Sequence, residues 1–403
     1  MRGPSSGAPR SLAIAAVTLA VQNGIVMAFG VLYLPLITEF ALPRAEVAGV
    51  QSALLLLSGV TGPLVGWGLD RLGPRRFFPA CALVAAAALV AASRSQSLSA
   101  LMLSYGVLGG LGLSGLGSQA NMTVAALWYP RARGRAIALV DLGTGFGAFA
   151  FIPLAQLLLG WVGWRGVLLV WAALLALLIV PVNLLQRVPE QGGGRGEAAG
   201  AEAPAPVTLS GALRTRAFWT LALVRHFSAM GFPLVNVHMV AFAISAGVPP
   251  VQAAAALGSV SLMSLGGRMT TGWLADRIGR APTLTITYAS AILGLVSLSL
   301  LAWHGSHGWL VAYVLFYGFA QGSSGIIASA RTADLFAGPH FGTIYGWMSL
   351  AVGPGEAIGA WAGGAIYDAT GSYLWGFAFV AAVLAAAVGL IWQVRAPYAR
   401  GST

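Results

Sequence analysis

"GWLADRIGR" occupies residues 272–280 and "GWGLDRLGPRR" occupies residues 66–76. Five of the eight positions in 66–73 recur 206 residues later: Gly66, Trp67, Asp70, Arg71 and Gly73 become Gly272, Trp273, Asp276, Arg277 and Gly279. Each copy interrupts a chain that is 58% hydrophobic and only 8% charged. A Gly at the end of an apolar span lets two helices approach closely. An Asp one turn on can accept hydrogen bonds from a neighbouring helix end, and the Arg after it suits the headgroup layer. This is latch chemistry, and Asp70, Arg71, Asp276 and Arg277 are its candidates. A second register, 208 residues apart, relates Gly134, Gly145, Gly147 and Gly163 to Gly342, Gly353, Gly355 and Gly371. The chain therefore reads as a duplication.

The composition places it in a membrane. A soluble domain of 403 residues needs far more polar surface and rarely holds 54 Gly among so many aliphatics. A bilayer core of about 30 Å needs roughly 20 apolar residues per helix. Spans of that size occur at 12–36, 46–69, 77–93, 98–127, 136–160, 165–187, 217–246, 251–275, 282–303, 308–333, 343–367 and 373–394, twelve in all. The first is too long for a signal-peptide core and is read as retained. The stretch "PEQGGGRGEAAGAEAPAPVTLS" at 189–210 is the longest polar, low-complexity segment. The expected architecture is all-α: a six-helix half at 1–188, a cytoplasmic linker at 189–214 and a second six-helix half at 215–403. Parallel repeats of this kind place a substrate site near the midplane between the halves, with alternating access as the mechanism.

All 22 basic residues are Arg. Arg44, Arg94 and Arg165 fall on one side of the twelve spans, sixteen others fall on the opposite side, and Arg225, Arg268 and Arg331 fall within spans. The positive-inside rule makes both termini cytoplasmic, and a multi-pass protein of the cell (inner) membrane is expected. Without Lys, no Walker-type phosphate loop is possible, so transport should be secondary. The lone Cys81 cannot form an internal disulfide. "HGSH" at 304–307 lacks further ligands for a metal. No clustered nucleophile or acid–base set suggests an enzyme, no cofactor is implied, and nucleic acid is not an expected partner.

With its repeat after the eighth span, the G-x-x-x-D-R-x-G-x-R pattern after the second closely resembles the signature of the major facilitator superfamily. "FGVLYLPLITEFALPRAEVAGVQS", "LWYPRARGRAIAL", "VHMV", "ADLFAGPHFGTIYG" and "YDATGSY" resemble the branch of monocarboxylate carriers and oxalate:formate antiporters. That resemblance implies a small carboxylate substrate and an eighth-span Arg that pairs with it, which is Arg268 here. It also implies cavity positions for His238, Asn121 and Gln119. Two departures matter: no Lys stands in span eleven, and Ser264 stands where animal carriers have an acid. The coupling ion is not transferable by analogy.

An Arg within a helix that crosses a bilayer costs roughly 2.5–3.5 kcal/mol on insertion scales and asks for a partner or a wet cavity. Arg268 suits bidentate carboxylate binding; it could equally pair with Asp141, and both could hold in different conformations. Tyr317, which follows Tyr313 and precedes Gln321 at four-residue spacing, is the aromatic candidate for substrate contact. Packing is its plainer reading. The substrate-binding candidates are thus Arg268, His238, Tyr317, Asn121 and Gln119. Glu356, His238 and Asp141 are proton-coupling candidates, Asp141 is also a latch candidate, and Arg225 reads as a structural or gating charge. The functional expectation is a secondary transporter of a small organic anion, a monocarboxylate such as lactate, coupled to protons and acting as a monomer. The alternatives are a facilitator or efflux transporter of a neutral or cationic solute and an oxalate/formate-type exchanger.

Overall fold

The computed structural model describes residues 7–129, 132–186, 208–336, 338 and 340–394. The first crossing is α1 (Gly7–Met27) and α2 (Phe29–Phe40), and the second is α3 (Arg44–Val60) and α4 (Gly62–Leu72), bent by 57°. The third is α5 (Pro74–Ser93). The fourth strings α6 (Leu98–Leu101), a π-helical stretch, α7 (Gly110–Gly115) and α8 (Ser118–Trp128). The fifth and sixth fall within α9 (Arg133–Leu174), two helical runs joined at a non-helical residue, followed by a second π-helical stretch and α10 (Val180–Leu184). Gly163, with φ 66° and ψ 175°, is where α9 turns back; a side chain there would be strained in the left-handed region.

The short α11 (Leu209–Leu213) precedes α12 (Arg216–Ser245), α13 (Pro250–Ile278) and α14 (Arg280–His304). The tenth crossing is α15 (His307–Ala320) with α16 (Ser323–Phe336), the eleventh α17 (Phe341–Ser349) with α18 (Val352–Thr370), and the last α19 (Tyr373–Gln393). Side-chain caps start several of these helices: Thr215 accepts from Phe218 N at 3.2 Å, and Ser372 from Leu374 N at 3.2 Å. Among the described residues, eight helices are long and apolar enough to cross a membrane, or nine with the bent α3–α4 pair. One of the eight runs from Arg133 to Leu184 and holds two crossings around Gly163. The two crossings that hydropathy leaves out are α13 and α17–α18, whose Gly, Ser, Thr and Ala content serves helix contact rather than lipid. Most of the expected linker falls outside the described residues, and its last part holds α11.

The two halves meet where α3 packs on α18, α9 on α13 and α2 on α12. In the first of these contacts Gly59 and Gly353 lie backbone to backbone, so a Cβ on Gly59 would overlap Gly353. With an even number of crossings, α1 begins and α19 ends at one face, here the terminal face; the other is the distal face. At the distal face the carboxylate of Asp368 accepts from the backbone N–H of Arg44 (3.0 Å) and Ala45 (2.8 Å). It caps α3 from the opposite half. The Arg44 guanidinium donates to Tyr373 and lies 3.9 Å from the Tyr367 ring centre.

Candidate functional site

A cavity of about 240 Å³ lies between the halves. Its longest wall is one face of α12, where Arg225, Ser228, Phe232 and Asn236 recur at helical spacing. Ser261, Ser264 and Arg268 line it from α13, Asn23 and Met27 from α1, Gln51 and Leu55 from α3, Thr144 from α9, and Glu356 from α18. Gln321, between α15 and α16, completes the wall.

Charge is concentrated toward the terminal face. Arg225 lies nine residues along α12 from Arg216, and Arg268 ten residues before Ile278 in the antiparallel α13. At 1.5 Å per residue, both stand roughly 13–15 Å in from that face. Deeper, Phe29, Phe232, Pro233 and Val237 line the cavity together with the neutral amides of Gln51 and Asn236. Buried donors and acceptors without a partner are uncommon in folded proteins. Here Arg225 Nε, Arg268 Nε, Gln51 Oε1, Asn236 Oδ1 and Gln321 Oε1 are all buried without one, and all belong to cavity-lining residues.

The two guanidiniums differ in what holds them. Arg268 pairs with Asp141 across the half interface, donates to Thr144 Oγ1 at 3.2 Å and lies against Gly322. Arg225 donates to the Tyr345 hydroxyl at 2.8 Å and sits over that ring. The ion pairs among the described residues are Glu39–Arg165, Asp141–Arg268, Asp276–Arg280 and Asp334–Arg280. Arg225 is in none of them, although it acts electrostatically on Glu356.

A family model described as Major Facilitator Superfamily matches residues 12–330. The chain belongs to that superfamily. Its members are transporters, not enzymes, and this chain is a multi-pass integral membrane protein. Monocarboxylate transporter 13 of Bos taurus is 29% identical over 386 residues, covering 92% of this chain and 85% of its own. Monocarboxylate transporter 4 of Rattus norvegicus is 28% identical over 358 residues, covering 87% and 75%. Among solved structures, a bacterial homolog to the human lysosomal transporter Spinster, inward-facing and occupied, superposes with a TM-score of 0.75. That match has 16% identity and covers 97% of each chain. A variant of the nucleoside transporter NupG gives 0.78 at 13% identity, covering 96% of this chain and 99% of that one. These likenesses show the fold.

Of the five residues expected to bind substrate, only Arg268 lines the cavity of this superfamily member. His238 is one position past the α12 stripe and turns toward α18. There its Nε2 meets Ala360 O at 2.9 Å, and Tyr33 packs edge-on at 4.8 Å. Tyr317 is fully buried between Gly294 and Tyr313, behind the cavity-lining Phe232. Asn121 serves the break between α7 and α8, donating to Leu116 O (2.7 Å) and Gly117 O (3.0 Å). Gln119 donates to Gly62 O at 3.4 Å, where the second crossing bends. Neutral amides beside helix breaks are drawn to orphaned carbonyls, and neither residue lines this cavity. Glu356 lines the cavity, and Asp141 is engaged by Arg268.

Arg225, read from sequence as a structural or gating charge, is part of the lining. The signal was present: Arg225, Ser228, Phe232 and Asn236 repeat on one helical face.

The latch residues divide. Arg71 and Arg277 each lie over their motif's Trp, at 5.3 and 4.1 Å from the ring centres of Trp67 and Trp273. Asp276 pairs with Arg280 at 2.6 Å, and Arg280 reaches Asp334 at 3.3 Å. Asp70 is exposed.

Proposed function

We propose that this protein is a secondary active transporter of a small organic monocarboxylate, working by alternating access with proton coupling. One observation carries the reading: a cavity between the halves with two guanidiniums toward one end and, deeper, the apolar Phe29, Phe232, Pro233 and Val237 beside the neutral amides of Gln51 and Asn236. Such a cavity suits an anion with an apolar body. The names of the relatives, monocarboxylate transporters 13 and 4, point the same way. The carboxylate goes to the charged end, where Arg268 is the residue singled out by position in the eighth crossing. Charge counting supports the proton. Arg225 and Arg268 offset Glu356 and Asp141, so a monoanion leaves one excess negative charge that a proton on Glu356 cancels. The Arg bias makes the terminal face cytoplasmic in the cell membrane, with 189–214 as the linker between halves and the monomer as the working unit.

The test is uptake of radiolabelled lactate and oxalate into proteoliposomes, with and without an inward proton gradient. The reading expects lactate uptake that the gradient stimulates several-fold and that Glu356→Gln makes insensitive to it. Equal uptake with and without the gradient would remove the proton, and oxalate–formate counterflow without it would make the chain an exchanger. A second reading has its own observation: Arg268 is paired with Asp141, as a carrier of neutral or cationic solutes would require. Thermal-shift screening separates the two, because that reading expects stabilisation by uncharged or cationic compounds and none by carboxylates.

A further inference from the structure

We infer that Arg225 is the residue that takes the substrate's carboxylate when the distal face is closed. The inference rests on the anion reading above and changes which guanidinium acts first. Arg and carboxylate match best as a fork, two parallel N–H groups on two oxygens, so a guanidinium is useful to a ligand only while its donors are free. Arg268 already gives Nη1 to Asp141 and Thr144, so its charge is paired with a carboxylate, and its Nε, without a hydrogen-bond partner, lies against Gly322. A substrate arriving there has to compete with a carboxylate already in place.

Arg225 stands at nearly the same depth in the same cavity, with a different set of neighbours. Of its five donors, one goes to the Tyr345 hydroxyl and Nε is buried with no partner. A neutral hydroxyl orients the guanidinium without neutralising it. The Tyr345 ring under it, 5.0 Å away, fixes its plane. Its neighbour His226 points elsewhere, its Nδ1 meeting Ala351 O at 2.9 Å. Glu356, on the neighbouring α18, acts on Arg225 through space but forms no ion pair with it among the described residues. Arg225 is therefore the lining cation whose charge is not paired with a carboxylate among the described residues, and Tyr345 is its positioning residue. Phe232, two turns further along α12, meets the apolar part of the same ligand.

The experiment measures binding of phenylacetate and of its neutral isostere phenylacetamide to the full-length protein in nanodiscs. Wild type is compared with Arg225→Gln, Arg225→Lys and Tyr345→Phe. Wild type should prefer the acid. Arg225→Gln should weaken phenylacetate by about tenfold or more and leave the amide within about twofold, so that the acid-to-amide ratio collapses. Arg225→Lys should recover part of that ratio, and Tyr345→Phe should lower it about threefold. A merely structural role would weaken both ligands together. An Arg225→Gln protein that keeps the wild-type ratio overturns the inference and leaves the anion reading standing. A wild type that does not distinguish acid from amide overturns the anion reading and this inference with it.

Discussion

The halves are fastened differently at the two ends of their interface. At the distal face, Asp368 takes two backbone N–H groups of α3, Arg44 donates to Tyr373, and the Tyr367 ring lies under that guanidinium. Nearer the terminal face, the cross-half polar contacts among the described residues are those of Arg268 with Asp141 and Thr144. The distal contacts are rigid: backbone donors and stacked rings have little freedom to find other partners. The Arg268 contact joins two flexible side chains beside a cavity, where a competing anion can reach. Treated as a gate at the distal end and a switch at Arg268, the two contacts make separable predictions.

The largest expected effect comes from the switch. Arg268→Ala leaves Asp141 unpaired beside the cavity, and truncating one member of such a pair costs about 2–5 kcal/mol. Melting in detergent should drop sharply, and initial transport rates in proteoliposomes should fall at least about tenfold. Arg268→Ala/Asp141→Asn should regain part of the lost stability. Strict additivity in this double-mutant cycle would mean the pair contributes nothing.

A smaller loss is expected where the helix backbones touch, because Gly59→Leu inserts a side chain against Gly353. Overpacking of this kind costs about 1–3 kcal/mol. The melting temperature should fall, and a label pair spanning α3 and α18 should report greater separation. Unchanged distances would show that the contact is not what spaces these helices.

Next comes the gate. Asp368→Ala removes both acceptors that cap α3, and losing a cap to Ala costs about 0.5–2 kcal/mol. The ratio of distally open to closed molecules should rise roughly 2- to 30-fold, read by distance distributions between labels at the 41–43 and 371–372 connections. No change would assign the seal to ring packing instead.

The repeat, the membrane class and the positions of the crossings were legible because apolar length and recurring motifs are local properties of a chain. The charged residues were legible too, since each needs a reason to be in a membrane. Which way a side chain faces was not legible where helices break. Asn121 and Gln119 carry ligand chemistry, but the interruptions at Gly115–Ser118 and Thr61 gave them carbonyls closer to hand. Tyr317 sits on a regular aromatic stripe, and that stripe packs against Gly294. His238 and Val237 differ by one residue, or 100° around the helix, which separates a buried residue packed toward α18 from a cavity wall.

The motif copies themselves carry the smallest expected effect, and they hold their turns by different means. Pro74 stands in the first copy where Arg280 stands in the second. A Pro at the start of α5 fixes φ covalently, which no salt can weaken. Arg280 does its work through Asp276 and Asp334, partners that are 74% and 38% exposed. Exposed pairs are worth about 0.2–1 kcal/mol and are screened by salt. Hydrogen exchange should therefore speed up across 272–280, and not across 66–76, when salt is raised from low to about 1 M, where the screening length is about 3 Å. Arg280→Ala should produce the same acceleration at low salt and remove the salt response. If both loops responded to salt alike, the proline would not be what sets the first copy apart, and Asp70 would need a partner of its own.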